Sequence, residues 1–570
     1  MSELMKQTPR WAAAVCGLVA GGAGLAAAEA AAVPFGPVAS PVQAVGAATI
    51  DLAPRPLKEF AVAAFGTADK VVLLVGIGVV LAVFAAALGI AARGRRWVAG
   101  TGAGVLALVG AAAAGTRPDA GPLDILPALV GGAVAYVALV LLTNAAAGAG
   151  AEPDSGVRAD ETGESGGLSE SGGPGGAAVG DRADGADEAE ATSGAPEPSE
   201  TPDRQGFDRR RFVLIAGAAA AASAAVGTGA GLYSRTSAGG AAQSRDFALP
   251  KPASPAPPVP DGADLEIEGV ESFFTPPGEF YRIDTALSVP RIDATSWRLR
   301  VHGAGVQERE YTFAQLLERD DIVERDVTLA CVSNQVGGGY IGNARWIGVP
   351  LAELLREAGV RPPSEGGPAD QLVSRSDDGM TIGTPVETVM DGRDAMLALG
   401  MNGRPLPPEH GFPVRMVVPG LYGYVSACKW LTEIELTTFD AFDAYWVPRG
   451  WAAKAPIKLQ SRIDTPRDGA SVGGGGAGVT VAGVAWAQHV GVDGVQVRID
   501  GGEWRDARLA EEATEDTWRQ WVFDWEDAEP GEHTVSVRAV GRDGEVQTAD
   551  EAPPAPDGAT GHHTITVSVG

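Results

Sequence analysis

Thr328-Leu-Ala-Cys331-Val-Ser-Asn334 is the stretch on which the fold and the chemistry of this 570-residue chain depend. It places a lone cysteine at the end of a β-branched, apolar run, and a glycine-rich loop beginning at Gly337 follows. Glycine lets the backbone approach a large ligand closely. We therefore expect the cysteine to lie at the end of a strand, next to such a ligand. A thiolate there is a soft ligand for a redox metal, or a nucleophile. The alternative is a small buried core residue, which is the commonest fate of a free cysteine.

The composition excludes two classes of protein. The chain has three cysteines, Cys16, Cys331 and Cys428, which are too few for a disulfide framework. The formal charge is −28, from 72 acidic and 44 basic residues, whereas a nucleic-acid partner would require positive surface. Much of the acidity lies in a Gly- and Ser-rich segment, 149–208, which lacks the apolar residues of a core. We predict that this segment is a disordered cytoplasmic linker.

Four apolar stretches precede that linker and predict membrane-spanning helices. Each is long enough to cross about 30 Å of hydrocarbon as a helix. The alternative is that they are buried helices of a soluble protein. Four such stretches in close succession make that alternative less favourable. Their many Ala and Gly residues permit close helix packing in lipid. The stretches are Trp11–Val33, Val71–Ala92, Trp97–Gly115 and Leu123–Ala147.

Positively charged residues set the predicted orientation. Basic clusters lie before the first stretch, between the second and the third, and at Arg209–Arg211, just before a fifth apolar run, Phe212–Leu232. All three clusters fall on one side of the membrane, which the positive-inside rule makes cytoplasmic. Everything after Tyr233 is then extracytoplasmic. Asp208-Arg-Arg-Arg-Phe-Val-Leu214 also resembles a twin-arginine export signal, and simple topogenic charge before a membrane helix is the alternative.

The patterns beyond residue 263 predict two soluble domains of different class. In 264–448, strand-like and helix-like runs alternate, as in a mixed α+β domain. In 455–570, short alternating runs separated by turns such as Asp500-Gly501-Gly502 predict an all-β immunoglobulin-like sandwich. The strand-like runs are Trp297–Val301, Val327–Leu329, Val414–Val418, Ile434–Thr437, Val479–Val484, Val495–Ile499, Trp518–Trp525, His533–Ala539 and His563–Val569. The whole predicted order is four transmembrane helices (1–148), the linker (149–208), a fifth transmembrane helix (209–233), a Pro/Ala-rich stalk (234–263) and the two domains.

Five ordered motifs in 270–448 resemble the sulfite oxidase family of molybdenum enzymes, in its membrane-anchored bacterial type. The motifs are Phe273-Phe-Thr with Phe280-Tyr-Arg282, Cys331-Val-Ser-Asn334, Ile341-Gly-Asn-Ala-Arg-Trp-Ile-Gly-Val-Pro-Leu351, Met401-Asn-Gly-Arg-Pro-Leu-Pro-Pro-Glu-His-Gly-Phe-Pro-Val-Arg415, and Pro419-Gly with Ser426-Ala-Cys-Lys-Trp430. Their order argues against a chance match. The last domain, with Ser461-Arg-Ile-Asp-Thr-Pro466 and Gly501-Gly-Glu-Trp504, is similar to the family's dimerisation domain.

The resemblance implies a molybdenum–molybdopterin cofactor (Mo-MPT) and assigns residues to it. Cys331 would be the metal ligand and a catalytic residue, and Arg345 a second catalytic candidate. A set of polar residues would hold the pterin and its phosphate; they are Tyr281, Arg282, Ser376, Asn402, His410, Arg415, Ser426 and Lys429. Arginine gives paired contacts to anions and lysine a point charge, which suits a buried phosphate. Each residue alone could equally belong to a turn or a strand face, whereas their order and spacing favour ligation.

Departures from the family leave the substrate open. Sulfite oxidases usually carry an anion-holding arginine five residues after the cysteine, and here that residue is Val336. The family tyrosine is absent from Val447-Pro-Arg-Gly-Trp451, although Tyr445 is near. We expect Gly337–Gly339 to open the pocket to a larger substrate. The sequence has no Cys-x-x-Cys-His motif, so no haem is expected and electrons would pass to a separate cytochrome- or quinone-linked protein.

The predicted function is two-electron oxygen-atom transfer by a multi-pass cell-membrane protein with an extracytoplasmic catalytic domain. Its partners would be membrane lipid, a small oxo-substrate, the electron carrier and, through the C-terminal domain, a second copy in a homodimer. A reductase of methionine sulfoxide or another S- or N-oxide with the same fold is the first alternative, because an arginine-poor pocket suits it. A non-catalytic receptor or adhesin with a sandwich binding module is the alternative from another class.

Overall fold

A computed structural model describes residues 9–35, 39–54, 69–93, 95–117, 121–148, 213–214, 216–225, 247–473 and 478–570 of the chain. The chain divides into two compact units. The first comprises Met1–Leu25, Val79–Val105 and Gly132–Ala224, and the second comprises Ala26–Gly78, Leu106–Gly131 and Ala225–Gly570. The second unit therefore holds the two soluble domains together with the ends of several apolar helices.

Apolar helices make up the N-terminal part of the described chain. They are α1 (Arg10–Ala32), α2 (Pro41–Leu52), α3 (Asp69–Ala91), α4 (Arg96–Gly115), α5 (Leu126–Gly148) and α6 (Ala216–Ala225). By length and composition, α1, α3, α4 and α5 could each cross a membrane, and they coincide with the four predicted stretches. Glycine brings helix backbones together within the first unit: a Cβ on Gly17 of α1 would lie 2.0 Å from the carbonyl oxygen of Ala85 in α3.

The structure covers the fifth predicted membrane helix only in part, and it contains one N-terminal helix that was not predicted. The fifth apolar run is helical over Ala216–Ala225. Apart from residues 213–214, its remainder and the twin-arginine motif lie outside the described residues, as does the whole acidic linker. Helix α2 was not predicted, because twelve residues are too few to span a membrane. Its start follows local rules: Pro41 occupies the first turn, and the Ser40 hydroxyl accepts a hydrogen bond from Gln43 N at 3.3 Å.

The α+β domain contains two five-stranded sheets and three short helices. The strands are β1 (Arg298–Gly303), β2 (Arg309–Thr312), β3 (Val323–Ala330), β4 (Ile341–Pro350), β5 (Gln371–Ser376), β6 (Thr381–Pro385), β7 (Met396–Met401), β8 (Arg404–Pro405), β9 (Arg415–Val417) and β10 (Leu431–Thr437). The helices are α7 (Phe313–Leu317), α8 (Leu351–Glu357) and α9 (Val386–Met390). One sheet has the order β2-β1-β10-β5-β6, and the other has β3-β4-β7-β8 with β9 paired to β7.

The first sheet closes through a pairing between distant parts of the domain. Strand β1 lies parallel to β10, with Arg300 opposite Glu433 and Val301 opposite Ile434. Leu299 and Val301 of β1 are fully buried, since alternate residues of a strand face the core. The predicted strands at β1, β3, β9 and β10 are all present.

The C-terminal domain consists of two β-sheets. Its strands are β11 (Gln460–Thr465), β12 (Ala470–Val472), β13 (Val479–Trp486), β14 (Val492–Ile499), β15 (Arg505–Asp506), β16 (Arg508–Leu509), β17 (Arg519–Trp525), β18 (Gly531–Gly541) and β19 (His563–Val569). The sheets have the orders β11-β13-β17-β16 and β12-β19-β18-β14-β15. The predicted turn joins β14 to β15, with Asp500 and Gly501 at φ 49° and 69°. All five predicted strands are confirmed, while the immunoglobulin-like identity of the pair of sheets stays a prediction.

The two soluble domains meet at the strand that carries the cysteine. The hydroxyl of Thr328 in β3 accepts a hydrogen bond from Trp518 N at 2.7 Å and donates one to Asn343 Oδ1 at 3.0 Å. The Trp518 indole N–H donates to the carbonyl of Phe273 at 3.0 Å. All four residues are buried. Strand β3 is therefore held from both sides three residues before Cys331.

Candidate active site

Cys331 follows the last residue of β3 and faces a cavity. Its amide donates to the carbonyl of Tyr340 at 2.9 Å, and its own carbonyl accepts from Asn334 N at 3.0 Å, so a tight turn fixes the backbone. The residue is 8% exposed. Burial raises the pKa of the Cys331 thiol, against a smaller lowering by the Ser333 hydroxyl 2.9 Å from Sγ. A coordinated cation would reverse that balance, because a ligating thiol loses its proton.

The cavity beside Cys331 collects polar side chains from distant parts of the α+β domain. Its volume is about 760 Å³, including the part open to solvent. Six residues predicted to bind the cofactor line it; they are Tyr281, Cys331, Ser376, His410, Arg415 and Lys429. The motifs that carry these residues are far apart in sequence, and the sheets bring them to one place.

Two polar atoms in the cavity lining have no partner among the described residues. They are Ser376 Oγ and Arg415 Nε, and both are buried. Burial lowers the pKa of Arg415 to about 10, and its guanidinium carbon lies 4.9 Å above the Trp346 ring. Buried polar atoms are nearly always hydrogen-bonded, so two orphans on one cavity wall fit a bound polar ligand.

His410 is held neutral at the cavity wall. Its Nε2 lies 2.7 Å from the carbonyl oxygen of Pro277, which can only accept, so the proton is assigned to Nε2. Burial lowers the pKa of His410, and Arg415 acts in the same direction. The ring also packs edge-on against Phe280, with centroids 5.7 Å apart. Nδ1 then remains as an acceptor for a ligand N–H.

One end of the cavity is cationic and contains a buried carboxylate. The Asp284 side chain is 1% exposed and contacts Lys429 Nζ; its other oxygen lies 2.5 Å from Arg282 Nε. Burial lowers the pKa of Lys429, and the nearby charges of Arg282 and Lys70 add to this effect. The Asp284 carboxylate opposes them because it stabilises the ammonium form. This end of the cavity therefore carries two cations against one carboxylate.

Four predicted site residues are not part of the cavity lining: Arg282, which contacts Asp284 at the cationic end, and three that lie elsewhere. Arg345 forms a two-pronged ion pair with Asp326, at 2.7 and 2.8 Å, and is not part of the cavity lining. The Asn402 side chain accepts from Arg345 N and donates to the carbonyl of Thr275, both at 2.9 Å. The Ser426 hydroxyl is fully buried and donates to backbone carbonyls. Their side chains support the backbone around the cavity and do not face it.

The glycine loop does not open the cavity as predicted. A Cβ on Gly337 would lie 2.2 Å from the ring of His563, and one on Gly338 would lie 2.4 Å from Asn334 Oδ1. Gly337 also has φ of 76°, which favours glycine. Glycine is therefore needed at two of the three positions, Gly337 and Gly338, where the loop turns tightly and packs against the C-terminal domain.

Aromatic residues that the sequence analysis did not select form another part of the cavity wall. Tyr424 and Trp446 line it, together with Asp284, Asp378 and Met380. Trp446 directly precedes 447–451, the stretch in which the family tyrosine is absent. Tyr424 lies inside the Pro419–Trp430 motif, so its position was a usable signal. Tyr445 instead packs against the Arg449 guanidinium, with 3.7 Å between its ring centroid and Arg449 Cζ.

Comparisons with known proteins give the same family as the motifs. Residues 286–446 match the family described as "Oxidoreductase molybdopterin binding domain". Mitochondrial sulfite oxidase of Mus musculus is 31% identical over 325 residues, which are 50% of this chain and 59% of that protein. Sulfite oxidase of Gallus gallus is 31% identical over 293 residues, 44% of this chain and 62% of that protein. The chain thus spans about three fifths of the length of these relatives.

A solved structure was also found. The sulfane dehydrogenase SoxCD from Paracoccus pantotrophus is 26% identical, with a TM-score of 0.45, over 53% of this chain and 82% of that one.

The site itself fits a molybdopterin. A thiol lies on the cavity wall, two buried polar atoms there have no partner among the described residues, and two cations lie at one end. These are the donors that a metal, a pterin and a phosphate require. The site residues and the sequence matches agree that residues 286–446 form a molybdopterin-binding oxidoreductase domain similar to that of sulfite oxidases.

Proposed function

We propose that the chain is a membrane-anchored oxidoreductase that performs two-electron oxygen-atom transfer with Mo-MPT on the extracytoplasmic side. The convergence of Cys331 with the orphaned Ser376 Oγ and Arg415 Nε on one cavity carries this proposal. Cys331 would hold the metal. Tyr281, His410 and Arg415 would hold the pterin, and Arg282 and Lys429 its phosphate. When bound, the cofactor supplies the oxygen-atom transfer and the redox change.

The chain's own residues would orient the cofactor and keep water away. Tyr281 is half-buried, and burial raises its pKa, so its hydroxyl stays neutral and can donate a hydrogen bond. Phe280 stacks on Tyr281 with centroids 5.3 Å apart, which fixes the ring. The neutral His410 presents an acceptor, and Arg415 a donor. Such fixed groups in a site shielded from water cost no reorganisation during reaction.

Contacts at the helix ends support the extracytoplasmic location. The positive-inside rule places the segment between α1 and α3, and the one after α4, outside the cytoplasm. Lys70 of α3 donates to the carbonyls of Asp284 and Ala286, and Arg117, two residues beyond α4, donates to that of Asp378. These acceptors belong to the catalytic domain. These contacts support the proposal that the domain is on the same side of the membrane as the two helix ends.

Sulfite is the first proposed substrate, and a sulfoxide is the second. The sequence matches to sulfite oxidases favour the first. The cavity wall favours the second, because Tyr424 and Trp446 give it an uncharged aromatic surface. An aromatic surface suits a neutral sulfur compound better than a hydrated anion. Electrons would pass to or from a separate electron-transfer protein, and a homodimer would form through the C-terminal domain. The receptor alternative is not retained, since the family is one of enzymes.

The test uses the full-length chain in detergent with its cofactor. Oxidised protein is mixed with sulfite, and the molybdenum(V) paramagnetic resonance signal is recorded. A signal identifies sulfite as an electron donor. A silent sample with measured molybdenum is then reduced with a viologen dye, and consumption of methionine sulfoxide identifies the reductase. Protein that contains neither molybdenum nor pterin contradicts the proposal.

A further inference from the structure

Two cationic side chains from the membrane-helix part of the second unit hold the catalytic domain. Lys70 Nζ donates hydrogen bonds to the carbonyl oxygens of Asp284, at 2.9 Å, and Ala286, at 2.5 Å. Arg117 Nη2 donates to the carbonyl oxygen of Asp378 at 3.3 Å. Both cations are partly buried. Lys70 lies in the first turn of α3, and Arg117 lies just beyond the end of α4.

The segments that these cations hold belong to the cavity beside Cys331. Asp284, Thr285 and Asp378 line that cavity. The Thr285 hydroxyl donates to Asp378 Oδ2 at 2.9 Å, so the two segments are also joined to each other. We call these two segments, 284–286 and 377–380, the rim of the cavity. The helix ends hold the rim at its backbone, while the side chains of Asp284, Thr285 and Asp378 line the cavity.

The rim connects the helix ends to the residues proposed to bind phosphate. Lys70 fixes the backbone of Asp284, and the Asp284 carboxylate contacts Lys429 and Arg282. The charge of Lys70 is also close enough to Lys429 to act on its titration. Lys70 therefore acts on the residues proposed to bind phosphate both through Asp284 and through its own charge.

We propose that Lys70 and Arg117 are positioning residues of the cofactor site, so that the membrane-helix part of the chain helps to retain the molybdopterin. The inference rests on the proposed function, since it concerns the same cavity. Loss of Lys70 frees the 284–286 backbone, and Asp284 no longer holds Lys429 and Arg282 in place. Loss of Arg117 frees the second half of the rim.

Cofactor release tests the proposal without relying on turnover. Full-length wild type, Lys70→Met, Arg117→Met and the double variant are purified in detergent with cofactor and then diluted. Released pterin is oxidised and followed by its fluorescence. We expect about tenfold faster release for Lys70→Met, because a hydrogen bond to a charged group contributes about that factor or more. The double variant should release faster still. Arg291→Met is the matched control, since Arg291 is exposed and stands only five residues beyond Ala286.

Two further measurements separate positioning from a general loss of structure. Lys70→Arg keeps the charge and should restore much of the retention, whereas a packing defect at Lys70 would not be rescued. The molybdenum(V) signal of Lys70→Met should broaden or shift. Release at the wild-type rate with an unchanged signal, in the double variant, overturns the proposal. If Lys70→Met does not fold, Arg117→Met and Lys70→Arg give the same decision. A wild type without molybdenum overturns the proposed function, and this inference with it.

Discussion

The hydroxyl of Thr328 accepts a hydrogen bond from the backbone amide of Trp518 at 2.7 Å, which ties the strand ending at Cys331 to the C-terminal domain. The same hydroxyl donates to Asn343 Oδ1, so one oxygen serves two buried groups. The C-terminal domain therefore takes part in holding the cysteine.

Replacing this hydroxyl should destabilise the soluble part. Thr328→Val keeps the shape of the side chain but leaves the backbone N–H of Trp518 and the side-chain carbonyl of Asn343 unpaired in the interior. Each unpaired buried group costs about 1–3 kcal/mol. We expect a clear fall in the thermal midpoint, measured in detergent. Thr548→Val, at an exposed threonine, is the control and should change the midpoint little. Equal midpoints for both variants would contradict the role of Thr328.

Cys331 and Cys428 should respond differently to substitution, although both line the cavity. Cys331→Ser removes the proposed metal ligand, and we expect turnover to fall at least about 100-fold, because a serine hydroxyl does not supply the soft, anionic sulfur of a thiolate. Burial raises the pKa of Cys428 to about 12, which fits a packed thiol, and Cys428→Ala should keep activity within a few-fold. Turnover, pterin content and molybdenum content are measured together. Undiminished turnover of Cys331→Ser with bound cofactor would refute the ligand assignment.

Two glycines of one loop provide a matched pair. Gly337→Ala adds a Cβ that would lie 2.2 Å from the His563 ring, at φ of 76°. A non-glycine residue at positive φ adds strain of about 1–3 kcal/mol, so the thermal midpoint should drop. Gly339 has open space around its Cβ position, and Gly339→Ala should be nearly neutral. A loop that served only to widen the cavity would respond alike at both positions.

His410 should make stability depend on pH. Burial lowers its pKa in the folded state, so the unfolded chain binds a proton first as the pH falls. Stability is therefore lost as the pH drops below the ordinary histidine value of about 6.5. The cofactor-free protein should have a lower thermal midpoint at acidic than at neutral pH. His410→Gln should reduce that difference. An unchanged difference in the variant would show that His410 does not contribute.

Local patterns and side-chain directions differ in how far the sequence predicts them. Alternation of apolar residues correctly predicted five strands of the C-terminal domain, because each of its sheets has one buried face. Six of the residues predicted to bind the cofactor line one cavity. Arg345 lies away from it because β3 and β4 pair with Arg345 directly opposite Asp326, and the sequence does not give that register. Asp284 was missed for a related reason: its partners, Arg282 and Lys429, meet only in the fold.

The parallel pairing of β1 with β10 has a consequence for synthesis. A ribosome completes β1 at Gly303 long before it reaches Leu431, where the partner strand begins. Pairings between distant strands form late in folding. The first sheet of the catalytic domain thus stays open while the segment with Cys331 is already made. Until β10 emerges, that thiol belongs to an unfinished domain, and the first sheet can close only after synthesis has passed residue 437.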